Sequence, residues 1–146
     1  MADSGATDAA VVAALAADQT LAALMPDGVW LEEAPPGLSR YVIVSPVASV
    51  DTHQFGGRAF EDVTYLVKAV ERSTSGGGAR AAAARIDAVL EGGLLQLDGS
   101  PATGYGFVSM VREGQVGPVV EVDPVDPGIR WQHRGGFYRV VVTAIM

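Results

Sequence analysis

Two stretches of this chain are apolar on both faces of any strand they form, and that restricts the fold more than any other feature. Successive side chains of an extended backbone point to opposite sides. Val42 and Val44 therefore face away from Tyr41 and Ile43, and Val140 and Val142 away from Val141 and Ile145. A sheet built from such strands needs cover on both faces. Helices read from the same sequence cover one face, and the reading assigns the other to partner subunits rather than to the chain's own loops or a second sheet.

The first helix begins at Thr7 or Asp8, whose side-chain oxygen caps free backbone N–H groups. It runs to about Leu24 on a stripe of Val11, Val12, Leu15, Leu21, Leu24 and Met25. Pro26 and Gly28 stop it, and Asp18 is placed to cap a restarted segment with a kink. A short strand, Val29 to Leu31, leads to a loop with Pro35, Pro36 and Gly37. Two β-rich runs follow, Arg40 to Val50 and Ala59 to Arg72, around a loop with Gly56 and Gly57. In the second run Val63, Tyr65, Val67 and Ala69 share one face. After the loop Ser73 to Gly78, Ala79, Ala82, Ala83, Ile86, Val89 and Leu90 recur at the helical period, with Gly92 or Gly93 as C-cap. The buried side of this helix is mostly alanine, so it is expected to sit close to its sheet. Tyr105 to Glu113 and Phe137 to Met146 read as strands. Between them Gly114 to Gly128, rich in Pro and Gly, reads as an irregular insertion around a short strand, Val119 to Val122. The fold class is α+β: one domain over 1–146, a small, mainly antiparallel sheet flanked by two helices, with 1–16 as a helical N-terminal extension.

Composition closes off several function classes. Of 146 residues, 49% are hydrophobic and 18% charged, with a net charge of −7, which describes a globular chain. Lys68 is the only lysine and the arginines are scattered, whereas tight grip on phosphates needs clustered cations. With no cysteine, thiolate nucleophiles, sulfur metal sites and disulfides are absent. The apolar run Val11 to Ala16 follows Asp3 and Asp8 without Lys or Arg, the wrong charge for a secretory leader. No run reaches the roughly 18 apolar residues that span a bilayer.

The residues that carry chemistry are few. His53 lies near Asp51, with His133 far along the chain, which falls short of the three or four ligands of a zinc site. A hydrolase using His53 and Asp51 lacks the nucleophile elbow. The segment Ser73-Thr74-Ser75-Gly76-Gly77-Gly78 enters a helix, as anion-binding loops do, but it lacks the Gly-Lys-Ser/Thr of a phosphate loop. Glu61 and Asp62 point to opposite faces of their strand, as do Glu32 and Glu33, so neither pair works as an acid and a base. Trp30, Phe55 and Trp131 read as core or interface anchors.

Four runs carry a resemblance. They are Ala17-Asp18-Gln19-Thr20-Leu21-Ala22-Ala23-Leu24 leading into Gly28-Val29-Trp30, and Pro35-Pro36 followed by Tyr41-Val42-Ile43-Val44. Asp62 to Val70 with a helix containing Ala84-Arg85-Ile86-Asp87-Ala88-Val89-Leu90 is the third, and Arg130-Trp131-Gln132-His133-Arg134-Gly135-Gly136-Phe137-Tyr138-Arg139-Val140-Val141-Val142 the fourth. Their order and spacing resemble the tail-terminator or tail-completion family of long, non-contractile-tailed bacteriophages. The run before Ala17 and the segment Gly114 to Gly128 depart from its pattern.

The resemblance implies a non-catalytic virion protein, assembled in the host cytoplasm and placed in the phage tail or neck. It implies copies closing into a ring, typically hexameric, that ends tail-tube polymerisation and meets the head connector, with DNA passing through unbound. Implied partners are further copies, the tail tube protein and the head–tail connector, with no cofactor, metal or membrane. The alternatives are a head–tail joining (neck) protein and a small-ligand or nucleotide module using Gly76 to Gly78. Because exposed Gly-rich loops adapt to neighbours, loops 51–58, 73–78 and 114–128 are expected to supply subunit contacts, through His53, Phe55, Arg58, Ser75, Gly77, Val119 and Trp131.

Overall fold

The computed structural model describes residues 5–54, 57–73, 75–91 and 105–144, with the backbone alone for 6, 53, 54, 57–59, 105–108, 143 and 144. Phe55, Gly56, Thr74, the expected C-cap at Gly92 or Gly93, and Ile145 lie outside the described residues.

The helix expected over 7–24 is two helices, α1 (Gly5–Ala16) and α2 (Gln19–Leu24). Asp18 causes the break. Its carboxylate accepts the Leu21 amide at 2.9 Å as the N-cap of α2 and pairs with Arg85 at 2.6 and 2.8 Å. The hydrogen bond from Arg85 holds the Asp18 carboxyl down at about 2, against burial and helped by the Leu21 amide and the Arg85 charge. Neither Thr7 nor Asp8 is a cap, because α1 starts earlier. Thr7 is buried, and Asp8 accepts the hydroxyl of Tyr65. The stretch expected as an extension supplies Ala10, Val11 and Leu15 to the core, so it is part of the packed body.

Strands β1 (Val29–Leu31), β2 (Arg40–Gln54), β3 (Gly57–Arg72), β4 (Tyr105–Val122) and β5 (Arg130–Ala144) form one sheet in the order β1-β2-β3-β5-β4. β1 runs parallel to β2 and every other pair is antiparallel. Helix α3 (Gly77–Leu90) crosses from β3 to the edge strand β4, leaving β5 between them.

Two loop expectations are corrected. Most of 51–58 is strand, since β2 reaches Gln54 and β3 starts at Gly57. The segment 114–128 is strand as far as Val122. Register shifts between Arg112 and Gly114 and between Val116 and Val119 absorb its glycines and Pro118 without ending the ladder, as β-bulges do at sheet edges. Only 123–129 turns.

All three helices cover one face. Val11 and Leu15 of α1, Leu21 of α2, and Ala82, Ile86 and Leu90 of α3 pack with Val42, Val44, Val63, Tyr65, Val67, Ala69, Tyr138, Val140 and Val142. Among the described residues no helix is long and apolar enough to cross a membrane.

Candidate functional site

The residues expected at interfaces fall at opposite ends of the sheet. His53 and Arg58 pair with each other at the β2–β3 end, and Phe55 lies outside the described residues. Ser75, Gly77, Val119 and Trp131 gather at the other end, where Trp131 pairs with Arg72, the last residue of β3. The sixteen residues of β3 separate these groups by about 50 Å at the usual rise of a strand. They do not form one site.

At the second end the glycine loop has an internal purpose. Gly76 takes a left-handed conformation (φ 69°) and offers no side-chain cap to α3. Instead the carboxylate of Glu71, the penultimate residue of β3, accepts the Ala79 amide at 2.5 Å, with Arg40 at 3.7 Å. A Cβ on Gly78 would lie 2.4 Å from that carboxylate and 2.6 Å from the Arg40 guanidinium. A helix N-terminus draws negative charge, and here a side chain of the same chain holds the position a phosphate would take. The Gly-rich loop reads as a seat for Glu71.

Trp131, expected as an anchor, is half-buried and donates its indole N–H to Asp123 at 3.1 Å. Asp123 also accepts the amides of Val125 and Asp126 at 2.9 and 3.0 Å. Those bonds from Asp126, Trp131 and Val125 hold its carboxyl below the ordinary carboxylate range. His133 points to the face away from the helices, and its ring nitrogens have no hydrogen-bond partner, although Nε2 lies 3.3 Å from Glu121. Burial, reinforced by the nearby Lys68 charge, pushes its pKa down against the pull of Glu121. No three of the described His, Asp and Glu residues are grouped to hold a metal.

The face away from the helices is covered differently from expectation. At its centre Ile43 is 8% and Val70 2% exposed, so the chain buries them itself. At that end the loop 34–39 borders a cavity of about 380 Å³ together with Tyr41, Arg72 and Trp131. Large apolar exposure is pushed to the margins of the sheet: Trp30 and Leu31 on β1, Val50 and Phe60 on the β2–β3 arm, and Val111, Val119, Val120 and Val122 on β4.

Both margins are held by hydrogen bonds or ion pairs; acids stand at the β1 margin, and the β4 margin carries Glu113 and Glu121 but gathers three arginines, with Asp87, in one groove. Beyond β1, Glu32 adopts a left-handed backbone (φ 65°), fixed by its amide on the Val44 carbonyl at 2.8 Å, and the Glu33 amide donates to Leu31 at 2.7 Å. Asp27 braces the same margin by accepting the Ser39 and Arg40 amides at 2.9 and 3.0 Å. Beside β4 a groove of about 270 Å³ opens between α3 and the β4–β5 ladder, lined by Arg80, Arg112, Arg134, Asp87, Val116 and Tyr138 among others. Arg112 lies 3.3 Å from Asp87, which also accepts the Tyr138 hydroxyl at 3.0 Å. Burial and that bond raise the Tyr138 pKa well above the ordinary phenol. Sequence reading missed this groove. It treated the arginines as scattered, because their convergence depends on β4 continuing through Gly114 to pair with Gly135 and Gly136.

A chain of a solved structure, the virion of a native gene transfer agent particle, is 26% identical, with each chain covered over 97% of its length and a TM-score of 0.70. A second solved chain, at 14% identity and a TM-score of 0.54, covers 99% of this chain and 96% of its own length and shows the fold alone. No curated protein sequence matches the chain. The family model described as Tail completion protein gp17 matches residues 9–111. That match runs from α1 into β4, so the protein belongs to the tail completion protein gp17 family, and it is a structural protein of a phage-type virion tail.

Proposed function

We propose that the chain is a ring subunit at the head-proximal end of the tail tube, where it stops tube growth and joins the tail to the head connector. It acts without catalysis, as one unit, since all three helices and the sheet share one core. The observation that carries this reading is the pair of unlike sheet margins. β1 and β4 are opposite edges, each with exposed apolar side chains. Following the pairings across the sheet, β4 runs antiparallel to β1 and β2. Copies set side by side in the same orientation therefore bring antiparallel edges together. Two different surfaces that fit one another make a heterologous interface, which closes into a ring when its rotation allows. The family and the virion chain of similar fold support a place in a tail. The net charge of −7 suits a bore through which DNA slides.

Electron microscopy of the purified protein and of the finished particle tests this. A closed ring between the tube and the head is the expected image. A ring on the head side of a separate terminator would make the chain a head–tail joining protein instead, and copies present only singly would overturn the reading.

A further inference from the structure

We propose that the acidic pair Glu32–Glu33 of one copy seats in the arginine-lined groove of the next. The proposal rests on the ring reading and names the surfaces that meet.

Charge points to it first. The chain has an excess of acids, with 17 Asp and Glu against 10 Lys and Arg. Three of those ten cations nevertheless line one groove. Arg80 and Arg134 form no ion pair among the described residues, and only Arg112 has Asp87. Glu32 and Glu33 are exposed and likewise form no ion pair among the described residues. Guanidinium forks match carboxylates, and complementary charges fix register between partners.

Position points to it independently. The groove lies beside β4 and the acidic pair follows β1, the two opposite edges of the sheet. They also lie at one level along the strands. Trp30 pairs with Ile43, Ile43 with Lys68, Lys68 with Gly135, and Gly135 with Val116. Leu31 is connected in the same way through Val44, Val67 and Gly136 to Gln115. Gln115, Val116 and Gly135 belong to the groove wall. Neighbouring copies therefore need no slide along the strand direction for the loop after Leu31 to face the groove. The apolar rims, Trp30 and Leu31 on one side and Val111 and Val119 on the other, then flank the charged contact. The fixed backbone of Glu32 lowers the entropy lost on seating.

The cysteine-free sequence makes a direct test available. A chain carrying Glu33→Cys and Gln115→Cys, both exposed positions, is assembled and oxidised. The expected product is a covalent multimer of the whole ring, with each single-cysteine variant remaining a monomer under denaturing conditions. Separately, Arg80→Glu with Arg134→Glu, or Glu32→Arg with Glu33→Arg, is expected to lower the ring yield by about tenfold or more. The chain with all four reversals regains it. Rings in the micrograph that stay uncross-linked and tolerate the reversals would sink this contact while leaving the ring reading standing. Absence of rings from the unaltered protein and its particle would remove both. Reversals that loosen DNA but leave ring yield unchanged would assign the groove to phosphates and overturn the carboxylate contact.

Discussion

Glu71 shows how one side chain decides the use of a whole loop. It leaves the end of β3, turns under the first turn of α3 and takes the Ala79 amide, and a Cβ on Gly78 would displace its carboxylate. Gly78→Ala would ordinarily favour a helix, yet here it presses on the carboxylate and on Arg40. We expect Gly78→Ala to destabilise the chain by about 1–3 kcal/mol, the range for unsettling a buried polar group, read as a lowered midpoint in urea unfolding. An unchanged or raised midpoint would show that Glu71 is not fixed there. The same residues explain why the loop looked ambiguous in the sequence. Glycines before a helix serve an external anion or an internal carboxylate equally well, and Glu71 lies eight residues before the amide it caps.

Among the elements, α3 was the most legible. Its alanine stripe follows the helical period, and Ala79, Ala82, Ile86 and Leu90 are buried as that period requires. Alanine at the contact lets the helix approach the sheet closely, so there is no room for a larger side chain. Ala82→Leu is expected to cost about 1–3 kcal/mol through overpacking, measured by thermal or urea unfolding. A neutral outcome would mean that α3 sits further off than described. The β4–β5 hairpin was the least legible element. Gly114, Gly117 and Pro118 are loop residues by local preference, but bulges let an edge strand hold them while the ladder continues to Val122. Reading this stretch as an insertion hid the groove. It also concealed the free margin of an eighteen-residue strand. Asp18, by contrast, was legible as a cap, because capping depends only on neighbours in sequence.

On the scale of the whole molecule, the apolar two-sidedness of Tyr41 to Val44 foretold helices on one face and misplaced the exposed remainder. The chain covers Ile43 and Val70 itself and shows its large apolar side chains at the rims. Long exposed edges invite pairing with further strands, so charges on the β4 rim should act on assembly rather than folding. Val111→Lys combined with Val119→Lys is expected to shift the melting temperature of the isolated chain by no more than about 2 °C, in keeping with exposed sites. Ring yield should fall severalfold under the same change. A large melting shift with normal assembly would place those valines in the core instead. Imaging the variants beside the parent protein answers both parts.

The Glu71 carboxylate under the first turn of α3 has a mechanical consequence. Three successive glycines would ordinarily make a slack joint, but this one is pinned to the sheet by the penultimate residue of the strand before it. Helix and ladder therefore turn together as a solid corner, and whatever docks against that corner meets a shape already set.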